Sequence, residues 1–557
     1  MLKGWLGKLD LFPTLVGYRR EWLSRDLLAG VTFGAITIPG QIATSHLAGM
    51  PPITGLYGFL AACLMAAALA VNRHLALGVD STVAPMLAGG LAGMGLLAQS
   101  PEYVTLAITT TFLVGVLTFI VGAGRMGWFG DALSKPVVIG FMGGIAIIIV
   151  INQLPGLFGV PPGQGTTVDK LVAFVTDVAR VNWATLAIGA TSLVLLVVFS
   201  RMSARFPGAL VVLAFATVVT VIADLPARGV QVLGPLQQGL PTLAMPDLSW
   251  SAVRAVTGTA LAIAVICLAQ TSATSRSAAA LGGFDTDVSA DYRAVGAGNV
   301  LAGLFGSFTV DASPPSTTII SQSRGRTQLA SLVAAVMVVI LLFASVIAED
   351  LPTATLSAVL IFIAVRIFRI DDMRATLNYS WRAFGLMLIT MVSVVVVGIV
   401  DGVALAIIIS FTDRARRTAR PELLQLGPTE SGQWLPLLDP RTDALSGVVA
   451  FRLNGPLWFG NATWFRQDLI DAIPEGLDKP DVLILDATRI DDIDFTGADA
   501  LLQVAQVCTL RDVTFAIASH MGRTEDAFER RGIVAALGEE SFFDSVEQAV
   551  QQLAPKP

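Results

Sequence analysis

Two stretches of this chain place carboxylates, hydroxyls and prolines inside otherwise apolar sequence. The first reads Leu77-Gly78-Val79-Asp80-Ser81-Thr82-Val83-Ala84-Pro85, the second Phe308-Thr309-Val310-Asp311-Ala312-Ser313-Pro314-Pro315-Ser316-Thr317. The chemistry they point to is binding, with no chemical step and therefore no enzyme. Asp, Ser and Thr are helix N-cap residues and Pro suits a first turn, so each stretch reads as a helix that starts part-way through a bilayer. Such a break is tolerated only where protein or a water-filled cavity satisfies the backbone. A pair of interrupted segments, one per half, points to a transporter built from inverted repeats. Each half-helix start is expected to expose free N–H groups after Asp80 and Asp311 and a positive dipole end, which together make an anion site.

The elements that must position these hinges are membrane spans. Hydrophobic residues form 54% of the 557-residue chain and charged residues 14%, with a mean hydropathy of +0.70, values of a polytopic membrane protein. Fourteen spans are expected, near 27–46, 52–71, 81–98, 104–123, 135–153, 181–200, 207–224, 254–276, 291–306, 312–325, 329–348, 353–369, 380–398 and 400–417. The hinges fall in the third and tenth, equivalent positions of a seven-plus-seven arrangement whose odd repeat length inverts the second half. Lys3, Lys8, Arg19, Arg20 and Arg25, with Trp5 and Trp22, make 1–26 an interfacial cytoplasmic segment, and Arg414, Arg416, Arg417 and Arg420 mark the same side. The transport domain is expected at 27–420, a Pro-punctuated linker at 421–446 and a small α/β domain at 447–557. From Gly447 onward there are 18 acidic and 9 basic residues, a net charge of −9, whereas the remainder holds 24 and 27, net +3. That balance gives no basic face for nucleic acid. Cys63, Cys267 and Cys508 lie far apart, so no disulfide framework follows, and no His/Cys/Asp grouping has metal spacing.

Several residues have two readings. Asp80 and Asp311 are either helix N-caps, each stabilising by about 1 kcal/mol, or a site for a coupling Na⁺ or H⁺, since intramembrane carboxylates are costly. Gln270 is either a neutral donor to an anion or an interhelical hydrogen bond. His46 and His74 read as ordinary pore-side or loop residues. No cofactor is expected.

The run from Ile38-Pro39-Gly40-Gln41 through Thr44-Ser45-His46-Leu47-Ala48-Gly49-Met50-Pro51-Pro52 to Gly55-Leu56-Tyr57 resembles the signature of the sulfate permease (SulP) family. Asn72-Arg73-His74-Leu75-Ala76-Leu77-Gly78-Val79-Asp80-Ser81 and Gly298-Asn299-Val300-Leu301-Ala302-Gly303-Leu304-Phe305-Gly306-Ser307-Phe308, continued by Arg326-Thr327-Gln328-Leu329, are similar to its later motifs. Leu485-Asp486-Ala487 with Ile493-Asp494-Phe495-Thr496-Gly497 is similar to a STAS domain. The resemblance implies a polytopic α-helical protein of 14 segments in a 7+7 inverted repeat, with the uracil-permease-like fold and a C-terminal STAS domain. It further implies a homodimer in the inner membrane that moves a small anion by an elevator mechanism. The implied site is Gln41, Thr44, Asp80, Ser81, Thr82, Gln270, Asp311, Ala312, Ser313 and Ser316.

Departures from the family pattern lie in that site. Pro39-Gly40-Gln41 shifts a site glutamine by one residue, Thr44 or Ser45 replaces an aromatic, Ser316 occupies an arginine slot, and Gln270 a carboxylate slot. Sulfate-class oxyanions are the expected cargo, with bicarbonate, dicarboxylates or a neutral nucleobase-like solute as alternatives. A STAS-based regulatory membrane protein with a cytosolic partner is the rival of another class. Thr496 reads as an N-cap or as a phosphorylated hydroxyl.

Overall fold

A computed structural model describes residues 11–128, 134–163, 165–202, 208–234, 239–343, 349–429, 431–437, 447–473, 479–518 and 523–554. Lys3, Trp5, Lys8 and Pro440 lie outside the described residues. The chain divides into two compact units, Met1–Ser410 and Phe411–Pro557.

The first unit is helical around one short ribbon. In order come α1 (Leu23–Leu47), α2 (Pro52–Leu69), strand β1 (Leu77–Val79), α3 (Ala84–Ala92), α4 (Pro101–Ala123), α5 (Lys135–Phe158), α6 (Thr167–Asp177), α7 (Trp183–Met202) and α8 (Gly208–Ile222). The second half follows with α9 (Trp250–Gly282), α10 (Val288–Leu304), strand β2 (Val310–Ala312), α11 (Pro314–Gln322), α12 (Leu329–Phe343), α13 (Thr353–Ile367), α14 (Ile370–Tyr379), α15 (Trp381–Val396) and α16 (Ile399–Thr418). Among the described residues, seven helices are long and apolar enough to cross a membrane, and three further apolar helices are shorter. Local sequence sets their starts: Ser100 accepts from Tyr103 N at 3.2 Å ahead of Pro101, and Ser249 from Ala252 N at 3.3 Å. Each of the fourteen expected spans overlaps one of these helices. The amphipathic α6, opened by a Thr166–Asp169 capping box, and α14 are additional.

The two hinges meet as an antiparallel pair, with Leu77 opposite Ala312, Gly78 opposite Asp311 and Val79 opposite Val310. A two-stranded ribbon in an apolar interior leaves outer-edge backbone groups to satisfy. Gln41 Oε1 accepts from Val79 N at 2.8 Å on one edge. On the other, Asn299 Oδ1 accepts from Val310 N at 2.9 Å while its Nδ2 donates to Val310 O at 2.7 Å. Gly78 is required by this closeness, because a Cβ there would lie 2.9 Å from Gln41 Oε1. Two buried carboxylates fix the loops beyond the ribbon. Asp26 accepts from Arg326 N (2.5 Å) and the Thr327 hydroxyl (2.8 Å). Asp291 accepts from Val71 N and Asn72 N (both 3.2 Å) and from the Ser275 hydroxyl (2.5 Å).

The second unit is built on a six-stranded sheet, ordered β4-β3-β5-β6-β7-β8. Its strands are β3 (Leu423–Pro428), β4 (Trp434–Pro436), β5 (Val448–Leu453), β6 (Val482–Asp486), β7 (Thr514–Ala518) and β8 (Phe542–Phe543), with helices α17 (Ala462–Asp471), α18 (Phe495–Leu510), α19 (Arg523–Arg530), α20 (Ile533–Leu537) and α21 (Val546–Leu553). β5 to β8 run parallel. Parallel strands are buried on both faces. Leu483 and Leu485 pack with α17 and α18, Val482 and Ile484 with α21. The expected linker at 421–446 is corrected in its first part: Leu423–Leu426 pairs with Ala450–Leu453, and β4 pairs with β3. The proline spacing there marks a hairpin at the sheet edge, where missing N–H donors are tolerated.

Candidate functional site

Asp80 leaves β1 into a tight turn. Its Oδ1 accepts from Thr82 N at 2.7 Å and makes a short contact with the Thr82 hydroxyl, while its carbonyl accepts from Ala84 N at 3.0 Å. Val83, directly before α3, makes no side-chain capping bond, whereas Asp80 carries the bonds of an N-cap for the turn that leads into the helix, its carboxylate accepting from the N–H two residues on and its carbonyl from the N–H four residues on. Ser81 is half-buried beside it. In the second hinge Asp311 lies in β2, and Ser313 is the N-cap of α11, accepting from Ser316 N at 3.4 Å. The cap reading of Asp311 is corrected. Its Oδ1 accepts from Ala312 N (2.7 Å) and the Thr271 hydroxyl (3.0 Å). Its Oδ2 is fully buried without a hydrogen-bond partner of normal geometry, although the Cys267 thiol, a weak donor, is beside it.

Gln270 crosses between the hinges. Its Oε1 lies 3.1 Å from the Thr82 hydroxyl and its Nε2 donates to Ala312 O at 3.1 Å. Cys267, Gln270 and Thr271 stand at i, i+3 and i+4 of α9, one helix face, and this face closes over both carboxylates. The interhelical reading of Gln270 is the one the geometry realises. Gln41 sits on the far edge of β1. Thr44 is buried, but its hydroxyl donates to Gly40 O at 2.7 Å, which turns it onto its own helix. Ser316 faces α1, with Thr37 Oγ1 3.4 Å from its hydroxyl and Ser313 Oγ donating to it at 3.0 Å.

The expected free N–H groups are largely taken. Thr82 N serves Asp80, Ala312 N serves Asp311, Ser313 N donates to Ala76 O at 2.9 Å, and Ser316 N is capped. Pro85, Pro314 and Pro315 have none. What the hinges offer a ligand is therefore two helix dipole ends and the hydroxyls of Ser81, Thr37, Ser313 and Ser316, beside two carboxylates. No hydrogen-bond partner of these site residues among the described residues is cationic.

Three contributors went unread in sequence: Asn299, Thr271 and Thr37. Asn299 lies in a quoted motif, yet nothing local says that its amide reaches the strand eleven residues on. Thr271 had a signal, its i+4 spacing from Cys267. His74 rests with Nε2 2.9 Å from Gly325 O, a loop role. In the second unit Thr496 is exposed. The N-cap of α18 is Asp494, which accepts from Gly497 N at 2.8 Å and from Phe459 N at 2.8 Å, so the cap reading of Thr496 is corrected.

Comparison with known proteins bears on this geometry. A profile described as the sulfate permease family matches residues 23–390, and one described as the STAS domain matches 439–549. The probable sulfate transporter Rv1739c of Mycobacterium tuberculosis is 31% identical over 537 residues, covering 96% of each chain. Sulfate transporter 3.1 of Arabidopsis thaliana is 27% identical over 574 residues, covering 98% of this chain and 86% of the relative. In fold, the chain matches the murine Solute Carrier 26 family member A9 anion transporter in the inward-facing state (TM-score 0.90, 21% identity, 98% of this chain and 94% of the other). It also matches the transmembrane domain of the cyanobacterial bicarbonate transporter BicA (TM-score 0.61, 23% identity, 70% of this chain and 98% of the other).

Proposed function

This chain belongs to the sulfate permease family, with a C-terminal STAS domain, and from that premise we propose that it is a secondary transporter of a small oxyanion of the sulfate class. The observation that carries the proposal is the β1–β2 pair, which brings the Asp80–Thr82 turn and the Asp311–Ser316 half-helix start together under Gln270. The anion sits between the N-termini of α3 and α11, held by dipole ends and hydroxyls. Each is a modest contribution, suited to a site that must also release its cargo. Asp26, Asp291 and Gln328 tie the hinge loops to α1, α10 and α12, so the site moves with its helices as one body in an elevator-type step. The protein works as a homodimer in the inner membrane with both termini cytoplasmic; of these, the orientation is supported by the arginines at both ends of the membrane domain.

Asp80 and Asp311 oppose any anion unless neutralised. A cation, Na⁺ or H⁺, therefore accompanies the anion at these carboxylates. The same charge pattern favours a second cargo, bicarbonate, because a monoanion is repelled less than a dianion. Uptake of labelled sulfate, bicarbonate and a dicarboxylate into proteoliposomes, each with and without a Na⁺ or pH gradient, tests this. Gradient-driven accumulation of one oxyanion is the expected result. Absence of flux for all three would turn the assignment toward a neutral solute or a STAS-centred regulatory role.

A further inference from the structure

The basic loops beside the hinges are not used by the transport site. Arg73 precedes β1 by four residues and Arg326 follows α11 by four. Their backbones are fixed from several sides. Gln328 Nε2 donates to Asn72 O and Leu75 O, both at 2.8 Å. Asp291 holds Asn72 N, Asp26 holds Arg326 N and Thr327 N, and His74 lies against Gly325 O. With the main chain satisfied in this way, both guanidinium groups are left exposed. They line one cavity of about 200 Å³ together with Thr14, Trp22, Val71 and Asp285. Arg73 stacks 5.7 Å from the Phe284 ring centroid. Neither arginine forms an ion pair with a described residue, and among the described residues Asp285 is the single carboxylate in the cavity wall.

The rim is of another character. Pro13 and Val16 are also in the wall; Val16 is 77% exposed, and Leu11 and Phe12, directly before Pro13 in sequence, are 63% and 41% exposed. Arg19 lies 5.8 Å from the Trp22 ring centroid. Next to Trp22, α1 begins with exposed Leu23, Leu27 and Leu28, residues that a spanning helix turns toward lipid. α2 ends at Leu69, just before the cavity wall at Val71. The cavity thus opens where two spanning helices leave the hydrocarbon, the depth of lipid phosphates. A guanidinium fork matches a phosphate with two parallel hydrogen bonds, Trp favours the interfacial layer, and basic residues at the surface attract anionic lipid.

We propose that the cavity formed by the N-terminal segment and the two hinge-flanking loops binds the phosphate group of an anionic phospholipid, gripped by Arg73 and Arg326 with the apolar rim against its acyl chains. The bound lipid joins the N-terminal segment to the loops from which both hinges emerge. The inference uses the membrane placement of this chain but not the identity of its cargo.

The test is thermal unfolding of the full-length protein in detergent. Phosphatidylglycerol, phosphatidylcholine or inorganic phosphate is added, and native mass spectrometry scores retained lipid. Phosphatidylglycerol is expected to raise Tm by several degrees and to stay bound, with phosphatidylcholine doing neither. In Arg73→Gln/Arg326→Gln that shift is lost while the Tm in phosphatidylcholine is kept. Arg73→Lys/Arg326→Lys, which keeps both charges but not the forks, retains part of the shift and guards against a folding defect in the glutamine variant. An undiminished shift in the glutamine variant would overturn the site. An equal shift with inorganic phosphate alone would overturn the lipid as its occupant, and equal retention of both lipids would overturn the proposal as a whole.

Discussion

Asp311 is buried within electrostatic reach of Asp80, and Ser316 stands where the family resemblance puts an arginine. The two buried carboxylates and the missing arginine together leave the site without a fixed positive charge among its described partners, and supplying one has a definite consequence. Ser316→Arg supplies a fixed cation at the start of α11. It is expected to lower the anion concentration needed for half-maximal uptake and to weaken the dependence on a Na⁺ or pH gradient. Initial uptake rates with the gradient collapsed would check this, and an unchanged gradient dependence would count against cation compensation at Asp80 and Asp311. Much of this site was legible: the Val-Asp and hydroxyl pattern located both hinges, and Gln270 was named with its interhelical alternative. Illegible was where each donor is spent. That Ala312 N turns back onto Asp311 depends on local turn geometry, where the same residue type could equally have been a cap.

At the scale of elements, the spans were readable because an apolar run of span length has few alternatives. The ribbon pairing was not, since it joins residues more than 230 positions apart. The β3–β4 hairpin was missed because prolines and a short polar turn look like a linker until an edge strand is there to receive them. α6 was missed because a short amphipathic helix between spans lacks a hydropathy signal. In the second unit the cap of α18 belongs to Asp494, whose carboxylate also holds Phe459 N. Asp494→Ala should therefore cost about 1–2 kcal/mol of this unit's stability, seen as faster amide exchange in the first turn of α18. Thr496→Ala, an exposed change, should stay within about 0.5 kcal/mol. Equal effects of the two would reassign the cap. Intact mass of protein from its host, free of any phosphorylated fraction, would retire Thr496 as a switch.

At the scale of the whole molecule, two differently built units carry the two family matches. The membrane unit holds its hinges and loops through buried carboxamides and carboxylates that reach across helices. The second unit relies on a sheet buried on both faces, and that sheet extends upstream to Leu423. A fragment 421–557 should accordingly melt at a higher temperature than 447–557, because removing β3 and β4 strips β5 of its antiparallel neighbour and exposes its edge. Equal melting temperatures would mean that the hairpin contributes little. For the membrane unit, the central claim is that an anion is held between the two hinges. The most direct measurement is the initial rate of sulfate uptake into proteoliposomes by wild type, Ser81→Ala and Ser313→Ala, at matched protein density. Loss of one hydrogen bond that strengthens on a charged ligand is worth roughly 1.5–3 kcal/mol, so a fall of about 10-fold or more is predicted for each. Full-rate uptake by both variants would contradict this placement of the site.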